Sequence, residues 1–403
     1  MSRVLYLAHR IPYPPNKGDK IRSYNTIRHL ALNHEVDLIC LADDRRDLKH
    51  RKELSALCRK VAVLPLNTLK AKVNGVCSFL KGATISERYF YRRRFQRIFN
   101  AWTRETPYDA VICFSSPMAQ YLLEDDFIAT KGGSMRLIMD FCDVDSDKWV
   151  QYAGKTKFPL NALYKNEGLR LLRYEQKIHR MFDRSIFVSD HEASLFKELS
   201  KDEERIFVVP NGVDSDYFSE HERDVSEPNG KPTLMFAGAM DYYANVDGVR
   251  WFCHDILPEV RRGHPDIVFN IVGSNPLPTV TELSAMDDVH VTGFVKDIRP
   301  YYQEADVCVI PLRIARGVQN KVLEAMAMGK TVVTTPAAIQ GIQVTHGKHV
   351  LVADSPKGFS ETILSLMDDP ERRVALGQAA RACVQRDYSW NRNVSKLMDI
   401  ALH

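Results

Sequence analysis

A chain of 403 residues is longer than one hydrophobic core ordinarily organises, so two domains, or three, are expected. Hydrophobic residues make up 45% and charged residues 26%, a globular balance that leaves little room for disorder. With 55 Lys and Arg against 51 Asp and Glu, the net charge of +4 gives no global field that calls for nucleic acid as partner.

Along the chain, the first apolar run, Val4–Ala8, is too short for a signal-peptide core. No later run approaches the roughly 18 apolar residues of a membrane span, so a cytoplasmic location is expected. Short β-branched or apolar runs then alternate with amphipathic stretches, the pattern of parallel sheets with crossover helices. Strands are predicted at Val4–Ala8, Val36–Leu41, Val61–Leu66, Ala110–Phe114, Leu137–Asp140, Ser185–Val188 and Ile206–Val209. In the second half they are predicted at Thr233–Ala237, Val268–Val272, His290–Thr292, Val307–Pro311, Thr331–Thr334 and Val350–Val352. The polar, turn-rich stretch Ser219–Pro232 is the linker candidate, a helix is expected from Asp369-Pro370 to about Arg386, and a last amphipathic helix carries Val394, Leu397, Met398 and Leu402. Eight cysteines without a CxxC pair read as buried free thiols.

Three places can carry chemistry. His9 ends the first strand, where a histidine is either structural or catalytic. Asp140, Asp143 and Asp145 follow a predicted strand; one of them, Asp143 in first place, can orient or deprotonate an acceptor hydroxyl, the alternative being a helix cap or a loop ion pair. The third is Pro311–Gly329. A strand ends at Pro311, a loop with Arg313, Arg316 and Gly317 follows, and a helix begins near Val318 and stops at Gly329. Such loops lie at the carboxyl edge of a parallel sheet, where ligands bind. Free amides at the helix start attract an anion such as a diphosphate, and Arg313, Arg316 and Lys321 add positive charge. Glu324 either accepts hydrogen bonds from vicinal sugar hydroxyls or pairs with Lys321 on a solvated face. No HExxH or other metal-ligand spacing is present, nor a GxGxxG after a strand.

Arg88–Arg104 contains six Arg, six aromatic residues and no acid. Tyr91, Phe95, Phe99 and Trp102 share one helical face. Such a helix suits an anionic membrane surface or a lipid diphosphate; alternatively its aromatics enter the core and its arginines are solvated.

Val209-Pro210-Asn211-Gly212-Val213-Asp214 and Val322-Leu323-Glu324-Ala325-Met326-Ala327-Met328-Gly329 resemble two signatures of the GT4-type retaining glycosyltransferases. Pro14–Asp19, Gly238-Ala239-Met240 with Asn245, and Tyr388-Ser389-Trp390 extend the likeness over essentially the whole chain. Through Asp140–Ser146 and Lys148-Trp149 it is most similar to the bacterial sugar transferases of PEP-CTERM/exosortase exopolysaccharide systems. The resemblance implies the α/β GT-B fold: two facing Rossmann-like domains, residues 1–215 for the acceptor and 230–385 for the nucleotide sugar, with 386–403 returning to the first domain. It implies a UDP- or GDP-linked sugar as substrate, a glycan or polyprenyl-diphosphate-linked acceptor, no cofactor, no metal, and a place in the cytoplasm or at the inner face of the membrane. Glu324 would bind the ribose. Lys321 would hold the diphosphate with the amides around Gly317, Asn320 and Val322; Gly18 would face it from the first domain, and Gly238 would let its loop come close. Phe294 and Val295 would flank the base. Charge neutralisation by Lys321, Arg316 and helix amides would dominate catalysis.

Two departures stand out. The family's first acidic residue, eight positions before Glu324, is Arg316 here, and the loop Met240–Asn245 lacks the usual Arg and Lys; Arg313, Arg316 or Lys321 would then supply the charge. The missing acid leaves two other readings: a catalytically silent sugar-nucleotide-binding subunit, or a nucleotide-sugar epimerase or phosphorylase on the same fold.

Overall fold

The computed structural model describes residues 1–123, 127–130, 135–219, 230–315 and 317–402. Two units emerge, Met1–Pro210 together with Trp390–His403, and Asn211–Ser389. Most of the polar Ser219–Pro232 stretch, residues 220–229, lies outside the described residues.

The first unit is built on seven strands: β1 Arg3–Ala8, β2 Glu35–Ala42, β3 Lys60–Pro65, β4 Ala110–Phe114, β5 Arg136–Cys142, β6 Arg184–Phe187 and β7 Ile206–Val208. Their order is β3-β2-β1-β4-β5-β6-β7, and every pair is parallel. The second unit carries six: β8 Thr233–Ala237, β9 Val268–Val272, β10 Val289–Gly293, β11 Val307–Ile310, β12 Thr331–Thr334 and β13 Leu351–Val352. They run β10-β9-β8-β11-β12-β13, again all parallel. Both sheets are thus doubly wound: strand order reverses between β1 and β4 and between β8 and β11, which opens a crevice at the carboxyl ends.

The strands read as continuous apolar runs because both faces are covered. In β1, Leu5 and Leu7 enter one core while Val4, Tyr6 and Ala8 enter the other, the two-residue period of a strand. The helix Trp390–Leu402 belongs to this first unit. Its Trp390, Val394, Leu397, Met398 and Ala401, at helical spacing, pack with Ile27 and Leu30 of the helix Gly18–Leu30 on the Val4–Tyr6–Ala8 face, each large apolar side chain contributing about 1.5–3 kcal/mol on burial.

The structure corrects two expectations. Asp140 does not follow a strand; it lies inside β5, fully buried, because the strand runs on to Cys142. The aromatic helix begins only at Arg93, and Ile85–Tyr89 is a separate short helix, so Tyr91 sits between the two. Phe95 and Phe99 are fully buried, Phe95 stacking on Tyr121 with ring centroids 4.0 Å apart. The aromatics therefore serve the core, while Arg93, Arg94, Arg97 and Arg104 are solvated.

Candidate functional site

The reversal point of the second sheet brings together the loop after β8 and the loop after β11. Where β8 ends, Gly238 donates its amide to the Val272 carbonyl at 3.0 Å. A Cβ at Gly238 would stand 2.6 Å from Asn245 Nδ2 and 3.0 Å from Lys321 Nζ, so any larger residue here would displace the site's own side chains. Across the loop, a Cβ at Gly273 would fall 1.6 Å from the Gly238 carbonyl oxygen, which fixes the second glycine for the same steric reason.

Asn245, buried on the first turn of the helix Tyr243–Trp251, holds this corner. Its Nδ2 donates to the Ala239 carbonyl at 2.8 Å, and its Oδ1 accepts from Lys321 Nζ. The Lys321 ammonium also lies 4.5 Å from the centroid of the Phe236 ring. Its hydrogen-bond partner and its ring contact are both neutral, and burial lowers its pKa to about 7 although Glu324 pulls the other way.

Lys321 and Glu324 stand on the helix Asn320–Ala327. Its N-cap residue Gln319 offers no side-chain acceptor to the first-turn amides, an arrangement suited to an incoming anion. Gly317, just before it, takes φ +61, a left-handed conformation that favours glycine. At the other end, Lys330 donates to the Ala325 carbonyl and Gly329 (φ +65) to Met326, both at 3.0 Å, a Schellman closure. The helix starts two residues later than the expected Val318. Asn320 Oδ1 accepts from Asn211 Nδ2 at 3.4 Å, which ties the Pro210-Asn211-Gly212 motif to the helix start.

Glu324 is not on a solvated face beside Lys321. It is part-buried, accepts from the Tyr302 hydroxyl at 3.3 Å, and burial raises its pKa. Val322 is buried in the core. Arg313 forks onto Asp247, with Nε to Oδ2 at 3.0 Å, so its charge is balanced locally. Phe294 is 77% exposed after Gly293 (φ +68), whereas Val295 leans on the core. Arg316 lies outside the described residues.

In the first unit the candidate groups are engaged with one another. Asp143 and Asp145 both accept from Lys148 Nζ at 2.9 Å; burial opposes the Lys148 charge, yet the two carboxylates hold its pKa well above the usual value. This is the loop ion pair weighed above as the alternative. Asp140 receives both Arg22 Nε and Nη2, at 2.9 and 3.0 Å, and Arg22 also donates to the Val209 carbonyl at 3.0 Å. His9 packs between Phe90 and Phe114 and reaches Asp19 at 3.4 Å. Burial works against the Asp19 carboxylate, but His9 and Arg10 hold its pKa far below the ordinary range. Gly18 opens the helix Gly18–Leu30 with no neighbour within 4 Å of where a Cβ would stand.

Tyr302 was invisible to sequence reasoning: it lies in no motif, and only the fold brings it to Glu324. Asn211 and Asn245 lie in or beside quoted motifs, but their bonds to Asn320 and Lys321 span 109 and 76 positions, beyond any local signal.

Residues 231–369 match the family model described as Glycosyl transferases group 1. An uncharacterized 44.6 kDa protein in the cps region of Klebsiella pneumoniae is 22% identical over 404 residues, covering 96% of this chain and 97% of its own. A GDP-mannose-dependent alpha-(1-6)-phosphatidylinositol monomannoside mannosyltransferase of Mycobacterium tuberculosis is 27% identical over 53% of this chain and 60% of its own length. Among solved structures, Anabaena Alr3699/HepE in complex with UDP and glucose superposes with a TM-score of 0.69 at 15% identity, over 99% of both chains. The stretch that matches the group 1 model is the one that holds Gly238, Asn245, Tyr302, Lys321 and Glu324, and the chain as a whole has the two-unit α/β fold of GT-B structures.

Proposed function

We propose that the protein transfers a sugar from a UDP- or GDP-linked donor to a hydroxyl of a glycan or lipid-linked acceptor, with retention at the anomeric carbon, in the synthesis of an exopolysaccharide or cell-surface glycan. The observation that carries this reading is the Lys321 ammonium, half-buried between neutral partners at the reversal point of the group 1 domain, beside a helix start without a side-chain cap. The bond from anomeric carbon to diphosphate oxygen breaks, and its electron pair leaves with the nucleoside diphosphate. Lys321, the amides around Gly317, Asn320 and Val322, and the charge of Arg316 stabilise that developing charge in place of a metal. The acceptor oxygen bonds to the anomeric carbon from the face the leaving group vacates, and its proton passes to the departing phosphate oxygen. Glu324, oriented by Tyr302, accepts from the ribose hydroxyls, and Phe294 and Val295 flank the base. Asp143 is assigned no proton transfer, since its carboxylate is paired with Lys148.

The Klebsiella relative from the cps region supports a role in polysaccharide synthesis, and the GDP-mannose-dependent relative supports a nucleotide-sugar donor. The test is nucleotide release from a panel of UDP- and GDP-sugars with and without bacterial lipid extract. Acceptor-dependent release from one donor, lost in Glu324→Ala, is expected. Donor binding without release under any acceptor would overturn transfer in favour of a silent sugar-nucleotide-binding subunit.

A further inference from the structure

The helix Thr68–Leu80 is amphipathic in reverse. Its buried positions are the small residues Ala71 and Gly75, and a Cβ at Gly75 would meet Ile85 Cγ2 at 2.9 Å, so only a minimal side chain allows this close seat. Its large apolar residues point outward: Leu69 is 75% exposed, Val73 59%, Val76 55% and Leu80 80%. At about 100° per residue these four fall within an arc about 60° wide. Lys72 borders that arc on one side, with Lys70 and Lys81 on the other, and all three are exposed.

The helix is held firmly in this attitude. At its C-terminal end Arg170 donates to the Phe79 and Ala83 carbonyls, and its guanidinium lies 4.0 Å from the Phe79 ring centroid. At its N-terminal end the Asn67 carbonyl accepts from Arg92 at 3.3 Å, which links it to the basic segment that follows. Residues 66–104 carry nine Lys and Arg against the single Glu87, a net +8; the whole chain is only +4, which leaves −4 everywhere else.

We propose that this face is a docking site for an anionic lipid surface, with Leu69, Val73, Val76 and Leu80 entering the acyl boundary and the flanking lysines on the lipid phosphates. A helix about 20 Å long with one apolar stripe lies in the interface plane, and no helix among the described residues is long and apolar enough to cross a membrane. Charge selects the lipid over a second copy of the chain, because self-association through this face would bring two regions of net +8 together. The contact surface is thus the helix preceding Arg88–Arg104, whose own aromatics are spent on the core. The docking is independent of the transfer reaction proposed above.

The test is co-sedimentation of the full chain with phosphatidylcholine vesicles, with and without phosphatidylglycerol. Binding to the anionic vesicles that weakens with salt is expected. Leu69→Ser combined with Leu80→Ser should lower the partition coefficient by about tenfold or more, and each of Lys70→Gln, Lys72→Gln and Lys81→Gln by about fivefold on anionic vesicles. All five positions are exposed, so circular dichroism should be unchanged. Cys77, exposed on the same helix and the one exposed cysteine among the eight, gives a direct reporter: an environment-sensitive fluorophore there should shift to the blue on vesicle addition. Protein that stays in the supernatant, equal sedimentation of the variants, or an unshifted label would each overturn the proposal. So would a dimer dissolved by the leucine variants without vesicle binding, which would assign the face to a second copy.

Discussion

The two sheets are wound in the same order, yet their reversal points are chemically unlike. In the first unit charge meets opposite charge: Arg22 with Asp140, Lys148 with Asp143 and Asp145, Arg10 and His9 with Asp19. Two other buried acids of that unit are satisfied by backbone and hydroxyl donors, Glu175 by Ser146 and Glu192 by the Val144 amide; burial pushes Glu175 up to about 8 and Glu192 up to about 7. In the second unit Lys321 is held by an amide oxygen and a ring, and Glu324 by a phenol. A closed network stabilises a fold, whereas a charge kept among neutral partners pays in stability for what an arriving ligand can supply.

That contrast breaks first where a network is cut. Asp140→Ala removes the carboxylate that receives the buried Arg22 guanidinium at both Nε and Nη2, and should lower unfolding free energy by about 3–5 kcal/mol, read in urea melts. Lys321→Met should do the reverse: stability holds or rises, while acceptor-dependent nucleotide release falls by roughly 10²–10³. If Lys321→Met instead unfolds the protein and spares turnover, the distinction between the two edges is lost.

The pH dependence sharpens the same point. Burial sets Lys321 at about 7 in the free protein, and a bound diphosphate would raise it, so donor binding takes up a proton. Donor affinity should therefore be greatest below pH 7 and weaken by up to about tenfold per pH unit above it, as read from donor KM between pH 6 and 9. The Lys321→Met profile should be flat there. In the free protein the unfolded chain binds the extra proton between pH 7 and about 10.4, so this lysine makes stability rise with pH across that window. The smallest effect belongs to Tyr302→Phe, which removes one hydrogen bond to Glu324 and should raise donor KM by about three- to tenfold with kcat nearly unchanged.

Much of the architecture was legible because strands covered on both faces announce themselves as apolar runs between turn-formers. Thr233–Ala237, between Pro232 and Gly238, and Thr331–Thr334, after Gly329, were placed to the residue. The carboxyl-edge helix was legible too, since Gly329 fixes its end through a local closure. What remained hidden were partners separated in sequence. Asp140 reads as a carboxylate at a strand's end, open to a ligand, until Arg22, 118 positions earlier, is seen beside it. A helical period also reveals a face without saying which way it points: the Phe95–Phe99 face turned inward, as apolar faces ordinarily do, whereas the Leu69–Leu80 face turned outward.

The helix Trp390–Leu402 completes the core of the first unit, yet the ribosome makes it after the whole of Asn211–Ser389. The entry and exit of that second unit are stitched together, Val213 donating to the Tyr388 carbonyl at 2.8 Å and bridging to Ser389. The second unit can therefore close while the first still exposes the apolar surface that Trp390, Val394 and Leu397 will cover. Completion of the first core thus has to wait for synthesis of the second unit, the reverse of the N-to-C order in which domains generally fold, and apolar surface exposed during that wait is what chaperones and aggregation act on.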